Sequence, residues 1–177
     1  MADRNALSLD ALATAPLASD APAYARRLVA AVRHATPPLL ALDDAATARR
    51  PAPGKWSPRE IIGHLVDSAS NNHQRFVRLR DRDDLVVDGY EQDAWVAVQR
   101  YQDAPWVELV VLWVTYNRHL ARLMAVTPAA ARERVRHSHN LHLRAYRPVP
   151  ADRAVTLDYF MSDYVDHLEH HLGQVLG

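Results

Sequence analysis

His167 and His171 stand four residues apart in the closing stretch Asp166-His167-Leu168-Glu169-His170-His171-Leu172-Gly173-Gln174. Four residues is close to one helical turn, so both imidazoles project from the same face of a helix. Two neutral imidazoles on one face are half of a transition-metal site. A third ligand from elsewhere gives the usual catalytic arrangement, with one coordination position left for a reactant. The best third ligand is His64, in Lys55-Trp56-Ser57-Pro58-Arg59-Glu60-Ile61-Ile62-Gly63-His64-Leu65. Cysteine is absent. Disulfides, a thiolate ligand and a cysteine nucleophile are therefore excluded, and any metal must be held by imidazole, carboxylate, carbonyl or water.

The helices that position these residues announce themselves in the sequence. Ser57, Pro58 and Glu60 form a capping box with proline at the first helical position. The helix they open runs to about Arg80, and Asp81–Gly89 breaks it. Upstream, residues 1–19 read as a loosely structured lead with one helical turn around Leu9–Ala13, and residues 20–177 as the main domain. A first long helix is expected to start near Asp20-Ala21-Pro22 with an acidic cap, and Pro37-Pro38 should interrupt it. A short helical piece over Leu39–Ala48 and a loop over 50–54 follow. A shorter amphipathic helix covers Gln92–Gln99. A third long helix begins near Asp103-Ala104-Pro105, spaces Leu109, Leu112, Trp113, Tyr116, Leu120 and Leu123 as a packed stripe, and ends at Thr127-Pro128. After a basic, irregular stretch from Ala131 to Pro150, Thr156 caps the last helix. Four long amphipathic helices predict an all-α four-helix bundle, with a connection before the last helix long enough for a crossover.

On a wheel of about 100° per residue with His167 at zero, His171 falls near 40° and Gln174 near −20°, beside the apolar stripe of Leu157, Met161, Val165, Leu168 and Leu172. With His64 at zero, Ser68 falls near 40°, Asn71 near −20° and Arg75 near 20°, again bordering the apolar stripe. Two helices each carrying histidine at the margin of the packed face can close a three-imidazole site at one end of a bundle. Asp67, Asn71, Arg75 and Gln174 flank the histidines and are candidates to orient ligands; ordinary polar contact is the alternative for each. His170 competes as a ligand but lies farther from the stripe.

Further clusters invite weaker assignments. His137-Ser138-His139-Asn140-Leu141-His142 holds metal only if the segment is a strand; otherwise it is a solvated loop. Arg132, Arg134, Arg136, Arg144 and Arg147 have the fork geometry that grips anionic substrates. Trp56 acts as a hydrophobic staple with Ile61 or lines a pocket. Lys+Arg and Asp+Glu are equal at 21 each, so no global field draws the chain to nucleic acid. No apolar run is long enough to span a membrane, and the first residues lack a basic start followed by an apolar block. A cytoplasmic location is the expectation.

The residues resemble a known family. Trp56-Ser57-Pro58-Arg59-Glu60-Ile61-Ile62-Gly63-His64-Leu65-Val66-Asp67-Ser68 is similar to the second-helix signature of the DinB/YfiT-like superfamily, Gly89-Tyr90-Glu91-Gln92-Asp93-Ala94-Trp95 to its connector, and Asp166-His167 through Gln174 to its terminal histidine motif. The resemblance implies an up-down-down-up four-helix bundle and a divalent metal, nickel or zinc, held by His64, His167 and His171. It implies a small-molecule substrate, with water (a hydrolase) or a low-molecular-weight thiol such as bacillithiol or mycothiol (an S-transferase) as the attacking group, and a homodimer. The alternative class is a non-catalytic metal-binding bundle, which a fourth protein ligand would favour. The histidine-rich loop and the length of the N-terminal lead depart from the family pattern.

Overall fold

The capping box closes as the sequence predicts: Ser57 Oγ accepts from the Glu60 N–H at 3.3 Å, and the Glu60 carboxylate accepts from the Ser57 N–H at 2.8 Å. The computed structural model in which this is seen describes residues 8–14 and 16–177. Its elements are α1 (Leu9–Thr14), α2 (Ala23–Ala41), α3 (Asp44–Ala48), α4 (Pro58–Leu79), β1 (Asp84–Leu85), α5 (Gln92–Gln99), a 3-10 turn (Tyr101–Asp103), α6 (Trp106–Val126), α7 (Ala129–Arg132), β2 (Ser138–His139), α8 (Leu141–Arg144) and α9 (Leu157–Leu176). The turn expected in the lead is α1, whose Ala13 is buried in the core; residues 1–7 and Ala15 of that lead lie outside the described residues.

Two expectations about α2 are corrected. Pro22, not Asp20, occupies its N-cap position, with no side-chain cap. Pro37 and Pro38 do not interrupt it: the helix continues to Ala41. The amide bonds that the prolines cannot make would have gone to the carbonyls of Arg33 and His34, and these residues lie on the exposed side of the helix, where a missing backbone bond costs least. Beyond the prolines, Leu39 is fully buried and its carbonyl accepts from Trp106 Nε1 at 2.8 Å, which fastens the last turn. Leu39 therefore belongs to α2, and the following short helix, capped by Asp43, is confined to Asp44–Ala48.

Helices α2, α4, α6 and α9 form the bundle, and their end-to-end contacts fix its directions. The end of α2 meets the start of α6 through Leu39 and Trp106, so these two run antiparallel. The starts of α2 and α9 meet through Tyr24 and Asp158 at 2.5 Å, so these run parallel. His64 in the first half of α4 meets His167 and His171 in the second half of α9, while Phe76 near the end of α4 packs on Phe160 near the start of α9, so α4 and α9 are antiparallel. Up-down-down-up order results, as the resemblance implies. Leu28, Leu65, Phe76, Trp113, Leu120, Met161 and Leu168 fill the centre. The α6 stripe is wider than the sequence spacing suggested: Val110, Val114, Asn117 and Met124 face inward, whereas Leu112 is exposed. Asn117 accepts from the buried Tyr164 hydroxyl at 2.6 Å, so this fully buried amide is paired.

The crossover from α6 to α9 is ordered around the end of α4. β1 and β2 pair in parallel, Asp84 with Ser138 and Leu85 with His139. Arg136 is only 1% exposed. Its guanidinium donates to the carbonyls of Leu79 at 3.1 Å, Arg82 at 2.9 Å and Ala131 at 3.2 Å. It thus places a positive charge at the negative end of the α4 dipole and ties the crossover to that helix. Among the described residues no helix is long and apolar enough to cross a membrane.

Candidate metal centre

The antiparallel pairing of α4 and α9 brings one nitrogen of each of His64, His167 and His171 within 4.8 Å of one another. His64 Nε2 and His167 Nε2 are 3.3 Å apart. Two bonds of about 2.0–2.1 Å at the tetrahedral angle place ligand atoms roughly 3.3 Å apart, so this spacing suits one zinc-sized ion. Among the described residues this is the only group of three or more histidines, cysteines or carboxylates close enough to share an ion, and no carboxylate joins it as a fourth donor.

Each imidazole is prepared by its surroundings. Gly63 lets the Tyr101 ring lie against the α4 backbone: a Cβ at position 63 would overlap that ring. The Tyr101 hydroxyl then donates to Asp67 Oδ1 at 2.7 Å, one turn beyond His64. His64 itself is 1% exposed, and the Trp56 ring lies 4.9 Å from it and 6.4 Å from His171. Trp56 is thus a wall of the histidine cluster, and it lines a hollow together with Ile61. His171 Nδ1 lies 2.8 Å from Gln174 Oε1. That oxygen only accepts, so Nδ1 carries the hydrogen and Nε2 is left with its lone pair for a ligand bond. The Gln174 amide also reaches His170 Nε2 at 3.1 Å, and His170 stays exposed at the rim beside Tyr146.

Burial keeps all three rings neutral. Desolvation, helped by the neighbouring His171, pushes the pKa of His64 from the ordinary 6.5 down to about 3. Desolvation and the three neighbouring histidines do the same for His167, also to about 3. His171 is lowered by burial, partly offset by its bond to Gln174. Three neutral imidazoles and no buried countercharge among them fit a divalent cation, because a cation needs lone pairs and here displaces no protons near neutrality.

A cavity of about 240 Å³ adjoins His64 and His167, bordered by Ser68, Asn72, Arg75 and Tyr164. A second, wider hollow of about 1020 Å³ touches the other side of the cluster at Trp56, His171 and Gln174. Of the residues expected to orient ligands, Gln174 touches a histidine and Arg75 lines the small cavity. Asn71 instead donates to the Asp67 carbonyl and faces a separate hollow with Asp88. Asp67 is buried against Tyr101 and Gln99, where burial raises its pKa, and it does not border the cavity. The residue that does is Asn72, overlooked because it sits nearer the apolar stripe; the cavity opens between α4 and α9, so positions 64, 68, 72 and 75 share it.

The remaining histidines and arginines mostly brace the crossover and the bundle ends. His139 Nε2 lies 2.7 Å from the Arg153 carbonyl, so it donates, and Nδ1 accepts from the Leu141 N–H at 3.1 Å. It buttresses the crossover, and His137 is exposed. Arg132 pairs with Asp158 at 2.8 Å, Arg134 with Asp83 at 3.0 Å and Arg147 with Asp166 at 3.1 Å. Arg144 alone of the five borders the cavity. A second close histidine pair lies elsewhere: His73 Nε2 on α4 and His119 Nε2 on α6 are 3.3 Å apart, with the Tyr116 hydroxyl 3.3 Å from His73 Nδ1.

The family model of the DinB superfamily matches residues 28–175, and the chain belongs to that superfamily. Its sequence is 24% identical over 123 residues to the Bacillus subtilis (strain 168) protein named "Putative metal-dependent hydrolase YfiT", a match covering 69% of this chain and 63% of that protein's length. The solved structure of YfiT from Bacillus subtilis, described as a probable metal-dependent hydrolase with an unusual four-helix bundle topology, superposes with a TM-score of 0.69 at 16% identity, covering 91% of this chain and 89% of that one.

Proposed function

We propose that the chain is a divalent-metal-dependent enzyme in which His64, His167 and His171 hold the ion, zinc or nickel, and that it hydrolyses a small molecule. The observation that carries this is a three-imidazole cluster without a fourth protein donor among the described residues, placed against a cavity. Structural zinc sites are closed by four protein ligands, and sites with three keep a position for a reactant. When bound, the ion supplies Lewis acidity that makes water or a thiol nucleophilic near neutral pH.

The chain's own residues prepare that chemistry. Gln174 fixes the His171 tautomer with Nε2 unprotonated. Trp56 covers His64 and limits water on that side. Arg75 and Asn72 face the cavity where a substrate approaches His64 and His167. Likeness to YfiT, named as a metal-dependent hydrolase, supports hydrolysis over transfer. A thiol cosubstrate fits the absence of cysteine, since the sulfur would come from outside the chain, and it is the second arm of the test. Homodimerisation, expected from the family resemblance, is checked by sedimentation.

The test loads the purified chain with zinc or nickel, measures metal per chain, and screens ester and amide hydrolysis alongside thiol transfer to a chlorinated nitroarene. Metal-dependent turnover that disappears in His64→Ala supports the reading. Full metal stoichiometry in His64→Ala, His167→Ala and His171→Ala would end it. Metal binding with no turnover in either arm would favour the non-catalytic bundle.

A further inference from the structure

Besides His64 and His167, the small cavity is lined by two arginines, Arg75 from α4 and Arg144 from α8. The two are near enough that the Arg144 charge, after burial, disfavours the charged form of Arg75. Arg75 donates to the Asp88 backbone carbonyl and feels the Asp88 carboxylate at longer range. Neither arginine forms an ion pair with a carboxylate among the described residues, whereas Arg132, Arg134 and Arg147 all do.

The Arg144 guanidinium lies against the backbone at Gly89: a Cβ there would overlap it. The segment that follows Arg144 is pinned to α9 by Asp163, whose Oδ2 accepts from the Tyr146 N–H at 2.9 Å and Oδ1 from the Arg147 N–H at 2.7 Å. Asp163 also borders the cavity, but both its oxygens are occupied by these amides.

Asn72 adds a second observation. It is 6% exposed and lines the cavity, its Nδ2 donates to the Ser68 carbonyl at 2.9 Å, and its Oδ1 is buried with no hydrogen-bond partner. The bond to the Ser68 carbonyl fixes which end of the amide is which, so the unpartnered atom is an acceptor. Buried acceptors are almost always satisfied, and this one lacks a donor from the protein.

We propose that this cavity takes a small organic anion, gripped through a carboxylate or phosphate by Arg75 and Arg144, with a hydroxyl or amine of the ligand donating to Asn72 and the rest of the molecule turned toward His64 and His167. The proposal rests on the reading of the three histidines as the reacting centre and names the substrate class for it. Paired guanidiniums bind both oxyanions in a fork. A volume of about 240 Å³ lies below the usual range for drug-sized ligands, so the ligand is a compact metabolite. The lining mixes polar groups with the rings of Tyr90, Phe160 and Tyr164, and the rings suit a short carbon skeleton.

The experiment titrates the full chain, stripped of metal by chelator, with butyrate and with inorganic phosphate at constant ionic strength, read by calorimetry. Saturable binding of either anion supports the proposal, and which anion saturates assigns the carboxylate or the phosphate class. Arg144→Gln, at an exposed position where folding is not at stake, is expected to weaken binding about tenfold. Gly89→Ala keeps both arginines but displaces the Arg144 guanidinium, and the same direction of loss is expected. Arg134→Gln, paired with Asp83 away from the cavity, leaves affinity unchanged. No saturable binding of either anion, or an Arg144→Gln variant that binds as well as the parent, overturns the proposal. Metal content, measured on a separate sample loaded with zinc or nickel, separates the two claims: metal held without anion binding overturns the substrate class alone, and anion binding without metal uptake overturns the enzyme reading alone.

Discussion

Two places in this bundle hold imidazole nitrogens 3.3 Å apart across a helix pair, and only one has the makings of a metal centre. His64 and His167 are joined by His171, covered by Trp56 and backed by Gln174. His73 and His119 have the same separation but lie toward solvent with a tyrosine hydroxyl beside them. The difference teaches that nitrogen spacing alone is a weak criterion. A third donor, burial that keeps the rings neutral, and a hydrogen bond that fixes a tautomer separate a metal centre from two histidines that happen to meet.

The sharpest break of that comparison is ligand removal. His64→Ala or His167→Ala is expected to abolish stoichiometric zinc binding, a loss of at least about a thousandfold in affinity given apparent free energies of the order of 10 kcal/mol for such sites, whereas His73→Ala leaves metal content unchanged. Metal analysis of the purified variants decides, and equal losses at both places would erase the distinction. Next comes Gln174→Ala, which frees the His171 tautomer. Loss of such a supporting bond typically lowers metal affinity about 10–100-fold, read by competition with a chromophoric chelator.

Acid sharpens the contrast further. His64 and His167 are neutral when folded, with pKa values of about 3, and ordinary at 6.5 when unfolded. As pH falls through 6.5 the unfolded chain takes up these protons first, so the metal-free protein loses stability progressively between pH 6.5 and about 3. Above pH 6.5 the contribution is flat. Urea unfolding at a series of pH values tests this, and replacing His64 with Gln should shrink the slope. The smallest effect is expected at His139→Ala, which leaves the Arg153 carbonyl and the Leu141 N–H without their partner. It should destabilise the chain by about 1–3 kcal/mol with no change in metal content.

The meeting of the three histidines was legible in the sequence for a physical reason. A capping box fixes the phase of α4, and a helix of known phase states which residues share a face, so His64 and the pair on α9 fall at the margins of their packed stripes. What the wheel cannot state is what approaches from another element. Trp56 lies outside α4 and folds back onto His64, Tyr101 reaches Gly63 from a turn 38 residues on (101 − 63), and neither contact leaves a periodic signal. The same limit explains Asn71 and Asn72: adjacent residues differ by about 100° of rotation, and which of them meets a cavity depends on where α9 lies. The basic stretch misled because composition does not distinguish an arginine that waits for a ligand from one, like Arg136, that terminates a helix.

His64 and His167 are separated by 103 residues. Their meeting therefore encloses most of the chain, and local structure alone cannot assemble it. An ion that binds the completed cluster and not its scattered parts stabilises the native form by about 4 kcal/mol at a thousandfold excess over its dissociation constant, roughly a ten-degree rise in melting temperature for a domain of this size. Heat resistance of this bundle should accordingly follow the supply of free metal in its surroundings, making thermal denaturation a gauge of occupancy without any substrate in hand.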